Sequence, residues 1–289
     1  MKKIVLMLMV LLSLQCGAFA YDCLDYDCVA PYNMNNKFRT VVGAISGVNS
    51  LTELKLESII KKEVLKLSSA EKVKVDFDSY SARDLKNGIF KSMKISAKNI
   101  LINDIHLSSL DLATLCDFNY IKQVDKDIIF VEDFPMSFDL TMSQDDINRT
   151  MQHPRYKKLI EDLNLVVGSF AKGVKISSTK VAIKNRRFYY IVGFSIPFIR
   201  SEQKLVLQSD VAIKNGKIDL TNSRVVSGNF NLDLKRADFL LSRLNPIDFS
   251  VNILKNKNAK VKVNNLQLSG VGNSISASGI IIVPKESYE

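Results

Sequence analysis

The sequence predicts an α+β protein built on a long, mainly antiparallel β-meander with short helical insertions. Apolar and polar residues alternate over many short segments, which is the period of half-buried strands. Asn87-Gly88 and Asn215-Gly216 supply turn signals between such segments. Helical spacing is confined to a few stretches, which favours helices packed on one face of the sheet.

The first twenty residues have the features of a secretory signal. Lys2 and Lys3 precede an apolar run at residues 4–14, and residues 18–20 (Ala-Phe-Ala) have the small-x-small pattern that signal peptidase cleaves. The run is shorter than the roughly 20 residues that a permanent membrane helix needs. We therefore predict cleavage after Ala20 and export to the periplasm or cell envelope.

Cys16 offers an alternative, a lipid-modified N-terminus. Gln15 disfavours it, because lipoprotein signals usually carry a small residue before the cysteine. We divide the chain into a signal peptide (1–20), an N-terminal tether with a first helix (21–50) and one α+β domain (51–285).

The composition is that of a folded, basic protein, with 46% hydrophobic residues. Loss of Lys2 and Lys3 with the signal lowers the 40 basic residues to 38, against 30 acidic residues, which leaves a net charge of +8. This excess is interpreted either as a solvated lysine-rich surface or as attraction to an anionic membrane surface. We expect no nucleic-acid partner, because base-stacking motifs and zinc-finger spacing are missing from the sequence.

Three cysteines follow the signal. Cys23 and Cys28 are close in sequence, and an oxidising compartment favours a local disulfide between them. A metal site that adds Asp25 and Asp27 is the weaker interpretation, because zinc sites usually show tighter pairs and a second pair. Cys116 lies in an apolar context and is most simply a buried thiol.

Two helices are predicted before the first strand. One begins near Phe38, where apolar residues recur on one helical face. Ser50 and Glu53 form a capping-box pattern that opens a second, amphipathic helix at residues 53–68. The apolar stripe of this second helix needs a sheet to pack on.

The remaining elements are strands with two helical interruptions. Ser143 is a predicted N-cap and Pro154 a predicted break in a mid-chain helical insertion. A short leucine-rich helix is predicted at residues 238–244, ended by Asn245-Pro246. The predicted strands are 73–77, 89–97, 100–112, 128–131, 136–140, 181–183, 188–199, 205–213, 218–220, 230–234, 261–268 and 275–283.

The sequence lacks the usual catalytic constellations. His106 is predicted mid-strand and His153 beside a helix break, and neither is followed by a nucleophile motif. Gly-x-Ser-x-Gly, Gly-x-x-x-x-Gly-Lys and Gly-x-Gly-x-x-Gly patterns are missing. We therefore expect a protein that is not an enzyme, without catalytic residues, metal or cofactor. A hydrolase with an unrecognised site is the third-ranked alternative.

The predicted strands carry more apolar surface than a few helices can cover. Residues 188–199 are apolar on one face and partly apolar on the other. The excess could enclose an acyl chain, at about 0.8 kcal/mol for each methylene removed from water. The alternative is that all of these residues are packed core.

Several segments together resemble the LmeA-like phospholipid-binding family of bacterial envelope proteins, a relative of the tubular lipid-binding fold. The resemblance spans residues 54–284 and consists of alternation patterns and turn residues. It is carried by 87–95 (Asn-Gly-Ile-Phe-Lys-Ser-Met-Lys-Ile), 100–112, 140–163 with Ser143, Asp146, Ile147, Asn148 and Pro154, 240–247 (Leu-Leu-Ser-Arg-Leu-Asn-Pro-Ile), and 263–279.

The resemblance implies a long curved sheet wrapped around a helix, with a hydrophobic groove that holds phospholipid acyl chains. The helix at 53–68 is the candidate for the wrapped element. Groove-lining residues are then predicted to be Leu56, Ile60, Val64, Leu67, Phe194, Ile196 and Phe198. Lipid transport or envelope maintenance is the expected role, and a non-catalytic scaffold with a fully packed core is the alternative.

Overall fold

The computed structural model describes residues 26, 28, 48–102, 105–124, 127–170, 172–227, 245, 247 and 260–285. The predicted signal peptide, most of the tether with its first helix, Cys23, the strand at 230–234 and the leucine-rich helix at 238–244 lie outside the described residues.

The described part of the chain contains four helices and thirteen strands. The helices are α1 (Val48–Leu67), α2 (Ala82–Lys86), α3 (Gln144–Thr150) and α4 (Pro154–Phe170). The strands are β1 (Ser69–Asp78), β2 (Ile89–Phe90), β3 (Ser92–Ile102), β4 (Ile105–Thr114), β5 (Asn119–Val124), β6 (Asp127–Phe130), β7 (Phe134–Ser143), β8 (Lys175–Lys184), β9 (Arg187–Ser195), β10 (Gln203–Lys214), β11 (Lys217–Ser227), β12 (Lys260–Ser269) and β13 (Ser274–Val283).

Pairing among these strands is antiparallel, which confirms the predicted α+β class and meander. The strands form three sheets, of six strands in the order β1-β3-β4-β7-β13-β12, four in the order β11-β10-β9-β8 and three in the order β2-β5-β6. Local alternation did not reveal this division, because each sheet is defined by pairings between distant segments.

The six-stranded sheet has one apolar face and one polar face. Val73, Val75 and Phe77 of β1 are buried, whereas Lys72 and Lys74 between them are exposed. The same alternation continues across β3, β7 and β13. The buried face therefore supplies one wall of the core, as the period-two pattern predicted.

Helix α1 packs on β1, the strand that follows it. Ile60 and Val64 point into the core, and Leu54 and Leu65 remain exposed. The predicted capping box at Ser50 is wrong, because the helix already includes Val48 and Ser50 therefore lies inside it. The pattern alone could not exclude an earlier helix start.

The mid-chain insertion follows the prediction closely. The Ser143 hydroxyl accepts from the backbone N–H of Asp146, and the Asp146 carboxylate accepts from the N–H of Ser143, which completes a capping box at α3. Residues 151–153 interrupt the helix, and α4 begins at Pro154, where the missing N–H of proline costs nothing.

Side-chain amides from α3 and α4 bond the open edge of β8. Gln144 Oε1 accepts from the Ile183 N–H at 2.9 Å, and Asn148 bonds both the N–H (2.8 Å) and the carbonyl (3.0 Å) of Val181. Asn164 of α4 likewise bonds both the N–H (2.6 Å) and the carbonyl (3.1 Å) of Ile176. The edge of the four-stranded sheet is thereby paired without another strand.

Tight turns at positive φ connect the hairpins of this second sheet. Asn215 and Gly216 have φ of 52° and 70°, the type I′ geometry that the Asn-Gly signal predicted. Asn185 and Arg186 adopt the same geometry with φ of 52° and 57°. The sequence missed this second turn, because arginine is not a usual residue at positive φ.

Gly279 of β13 is required by close packing between three strands. A Cβ at this position would lie 2.0 Å from the Lys262 carbonyl oxygen and 2.8 Å from the Phe138 ring. Both neighbours are fixed by pairing of β13 with β12 and β7. A side chain at position 279 is therefore incompatible with the present spacing of these strands.

Gly279→Ala should therefore lower the free energy of unfolding by about 1–3 kcal/mol, since the strands must move apart to admit the methyl group. Gly168→Ala in α4 is the matched control, because no atom lies within 4 Å of its added Cβ. That change should be neutral or stabilising by up to about 1 kcal/mol. Urea unfolding measures both, and equal stabilities would contradict the packing argument.

The disulfide differs from the one expected at the N-terminus. Cys28 is bonded to Cys116, with Cα atoms 5.5 Å apart and a sequence separation of 88. The predicted Cys23–Cys28 pair is wrong, and Cys116 is not a free thiol. Near this bond, the Tyr26 hydroxyl reaches the Asp133 carbonyl at 3.5 Å. Proximity in sequence favoured the local pair, but the fold brings the distant cysteine to Cys28.

Cys28→Ser should lower the free energy of unfolding by roughly 2–5 kcal/mol, because the bond closes a long loop in the unfolded chain. Cys23→Ser is the control and should have no comparable effect. Thermal unfolding under non-reducing conditions separates the two variants. Equal loss of stability in both variants would argue for the local Cys23–Cys28 pair.

Candidate functional site

Five of the predicted groove residues belong to the core or lie against it. Ile60 (1% exposed), Val64 and Phe194 are buried in one hydrophobic cluster. Leu56 and Ile196 are half-buried and pack against the same cluster. The side chain of Leu67 lies outside the described part of the chain.

This cluster is continuous between the two larger sheets. It includes Ile95 and Ile275 from the six-stranded sheet and Val181 and Phe188 from the four-stranded sheet. The predicted groove residues occupy different parts of it, since α1 packs on β1 whereas Phe194 belongs to β9. The structure thus brings them to one apolar interior rather than to one continuous row.

Phe198 is not a core residue, and its assignment to the groove is wrong. Its side chain is fully exposed (106%). Strand β9 ends at Ser195, and Ile199 N–H donates to the Ile196 carbonyl at 3.2 Å, closing a turn over Pro197 and Phe198. The apolar alternation continued past the strand end, but the proline was the available signal that the strand stops there.

The turn holds Phe198 in a backbone conformation that glycine normally occupies. Its φ is +68°, at the third position of a turn with proline at the second, which is the type II arrangement. For a bulky residue this conformation costs about 1–3 kcal/mol. An aromatic side chain is therefore displayed to solvent at an energetic cost.

A carboxylate anchors the loop to the sheet. Glu202 Oε1 accepts from the hydroxyls of Ser177 and Ser178, each at 2.6 Å, where β8 carries a bulge. These two hydrogen bonds lower the pKa of Glu202 from its ordinary value. Gly193 makes room for the arrangement, because a Cβ there would lie 2.3 Å from both Glu202 Oε1 and Ser178 Oγ.

A second loop packs beside the first. Gly173, with φ of +82°, lies against Pro197, and an added Cβ would meet the proline ring at 2.3 Å. We call residues 172–175 and 196–204 together the β9–β10 tip. The exposed cations of this tip are Lys172, Lys175, Arg200 and Lys204. Glu202 is its single acidic residue, and Lys204 lies 4.0 Å from that carboxylate.

Serine, histidine and aspartate also meet at the start of α3, and their geometry is that of a helix cap. The hydroxyls of Ser108 and Ser143 both donate directly to Asp146 Oδ2, the second at 2.7 Å. In a hydrolytic triad a histidine stands between serine and aspartate. The backbone N–H of His106 donates to Thr150 Oγ1 at 3.0 Å, so this strand residue helps to hold α3.

Tyrosine hydroxyls join α4 to the second sheet. The hydroxyls of Tyr156 and Tyr190 are 2.7 Å apart. Burial raises the pKa of both groups, so both stay neutral donors and acceptors across the physiological range.

None of the described helices is long and apolar enough to cross a membrane. Comparison of the chain with protein-family models, with curated proteins and with solved structures finds no match.

The cap at Asp146 makes stability depend on pH. Burial acts to raise the pKa of its carboxyl, but hydrogen bonds from Ser108 and Ser143 and the charge of Arg149 outweigh burial and lower the pKa. The unfolded chain therefore binds a proton at the Asp146 carboxyl more readily than the folded chain does. The stabilisation is complete above the ordinary carboxyl pKa and is lost as pH falls through the lower, folded value.

The lowered pKa of His106 also makes the folded protein less stable as pH falls. Burial and nearby Arg149 lower the pKa of its imidazole, so the unfolded chain takes up this proton first as well. Stability therefore begins to fall below about pH 6.5, the ordinary histidine value.

Ser108→Ala should cost about 1–3 kcal/mol near neutral pH, because it removes a hydrogen bond to a buried charge. The loss should shrink as pH is lowered below the ordinary carboxyl pKa, where Asp146 becomes protonated. Urea unfolding from about pH 7 to about pH 2 measures this. Ser109→Ala, on the opposite face of β4, is the control, and a pH-independent loss in the Ser108 variant would refute the assignment.

Proposed function

We propose that this chain is an exported cell-envelope protein that binds phospholipid acyl chains in its apolar interior. The observation that carries the proposal is the single hydrophobic cluster that runs between two antiparallel sheets and includes α1. An acyl chain would extend that cluster, with about 0.8 kcal/mol gained for each methylene removed from water.

Half-buried apolar side chains at the margin of the cluster support a lipid entrance. Leu56 on α1 and Ile196 after β9 contact the core but remain partly open to solvent. A side chain in this state can exchange its solvent contact for a ligand without repacking the core. The interior residues Ile60 and Phe194 cannot, because they are already enclosed.

The outer face of α1 supports contact with lipid headgroups. Leu54 (59% exposed) and Leu65 (41%) lie three helical turns apart on one side of the helix. Lys61 lies between them on that side, and Lys55 and Lys62 lie about a quarter to a third of a turn around the helix from it; all three lysines are exposed. Apolar and basic residues on one helix face suit an interface with anionic lipid.

The Cys28–Cys116 disulfide supports export. Disulfides persist in oxidising compartments and are rare in the reducing cytosol. The signal-like residues 1–20 point to the same destination. The resemblance to the LmeA-like family implies phospholipid as the ligand class, and an envelope location fits that ligand.

A scaffold protein with a fully packed core is the second candidate. It is favoured by the nearly complete burial of Ile60, Val64 and Phe194, which need no ligand to exclude water. In that case the basic surface would be the part that binds a partner, and the interior would serve stability alone.

Native mass spectrometry with organic extraction tests the proposal. The purified mature chain should carry a phospholipid. Leu56→Asp should abolish lipid retention while the protein stays folded, because the new carboxylate lies at the half-buried margin and can reach water. Ile60→Asp is unsuitable, since a charge at a 1% exposed position would unfold the domain.

Leu165→Asp is the matched control, because Leu165 is 77% exposed on α4, outside the α1 face that is proposed to meet lipid. It should keep the lipid. A folded Leu56→Asp protein with unchanged lipid content would refute the entrance. A wild-type chain that is empty and takes up no labelled lipid would favour the scaffold.

A further inference from the structure

We propose that the β9–β10 tip docks on an anionic bilayer surface, with the Phe198 side chain inserted among the headgroups. This inference names where the protein meets a membrane, and it rests on the proposed lipid-binding function for its biological setting. The docking itself is a separate property, since Phe198 lies outside the apolar interior.

The backbone of the turn provides the first argument. Glycine would fit the position of Phe198 without strain, because φ is +68°. An aromatic residue there gains nothing from the core, since its side chain is fully exposed. A strained conformation that displays an apolar ring indicates a binding role, because no internal contact explains the residue.

The tip is held in place before any partner arrives. Glu202 ties the loop to Ser177 and Ser178 of β8, and Pro197 packs against Gly173. The turn is closed by its own backbone hydrogen bond at 3.2 Å. Little conformational freedom remains to be lost on docking, so the apolar contact is not offset by the cost of ordering the loop.

The positive charge of the tip favours an anionic membrane as its partner. Lys172, Lys175, Arg200 and Lys204 are exposed on the same tip as Phe198, and the single carboxylate of the tip is occupied by two serine hydroxyls. Basic residues within a Debye length of an anionic leaflet are attracted to it. An aromatic ring among cations fits the boundary between headgroups and acyl chains.

The opposite end of the second sheet is the natural comparison. Val271 is also exposed (91%), and its neighbour Gly270 lies against Arg186 in the β8–β9 turn. Exposed basic residues occur there too, at Lys184 and Arg187. In the β12–β13 turn that carries Val271, the positive φ angles fall on Gly272 and Asn273, where they are expected, so Val271 itself is not held in a strained conformation.

Tryptophan fluorescence tests the two ends against each other. The chain contains no tryptophan, so F198W and V271W each carry a single reporter. Vesicles of phosphatidylcholine with one third phosphatidylglycerol should shift the F198W emission to the blue and leave V271W unchanged. High salt should reverse the shift. A folded F198W protein with no shift, or a shift confined to V271W, would overturn the proposal.

Phe198→Gly separates binding from folding. The backbone strain disappears, so thermal stability should be unchanged or higher, while vesicle binding in a flotation assay should fall about tenfold because the apolar contact is lost. V271G is the control and should bind as the wild type does. Lost stability with unchanged vesicle binding would mean that Phe198 serves the fold.

Lipid content distinguishes the docking proposal from the function on which it rests. Extraction of the Phe198→Gly protein should recover the same phospholipid as the wild type. Blue-shifted F198W in a protein that carries no lipid would support the tip and refute the lipid-binding interior. Retained lipid with no F198W shift would refute the tip alone.

Discussion

The second sheet depends on side-chain amides that bond the open edge of β8. Gln144 and Asn148 are four helix residues apart, a rise of about 6 Å, and the N–H groups of Ile183 and Val181 that they bond are two strand residues apart, a rise of about 6.6 Å. The two spacings match closely enough for a helix face to replace a neighbouring strand. Because Ser143 is both the end of β7 and the N-cap of α3, the same helix fixes one sheet against the other.

That junction explains why the apolar interior is one cluster. Helix α3 contacts β4 and β7 of the six-stranded sheet and β8 of the four-stranded sheet, and the buried side chains of both sheets belong to one cluster. Helix α4 adds the contact between the Tyr156 and Tyr190 hydroxyls. The junction also determines the geometry of the β9–β10 tip. The serines that hold Glu202 lie on β8, so the amides that position this edge strand indirectly position the exposed ring of Phe198.

The interior and the tip suit two different physical tasks. The interior removes apolar surface from water and has half-buried side chains at its margin, among them Leu56 and Ile196. The tip instead exposes the apolar ring of Phe198 in loops that carry basic residues. The positive φ of Phe198 costs conformational free energy, and no contact in the interior requires it. The proposed uptake of lipid from a membrane requires both an enclosed apolar volume and a surface that meets the bilayer.

The sequence by itself determined most of the strands, though not β5, together with their one-sided alternation, the Asn215-Gly216 turn and the Ser143 cap. Each of these depends on neighbours within a few residues. Of the predicted groove residues, Ile60, Val64 and Phe194 are buried in the apolar cluster, and their contact with lipid stays a prediction. Phe198 was assigned to the same face by extending an alternation past Pro197. The tertiary structure alone decided the Cys28–Cys116 bond, the division into three sheets, the amide pairing of β8 and the exposure of Phe198. Each of these depends on which distant backbone segments come together, and a local pattern of polarity carries no information about that choice.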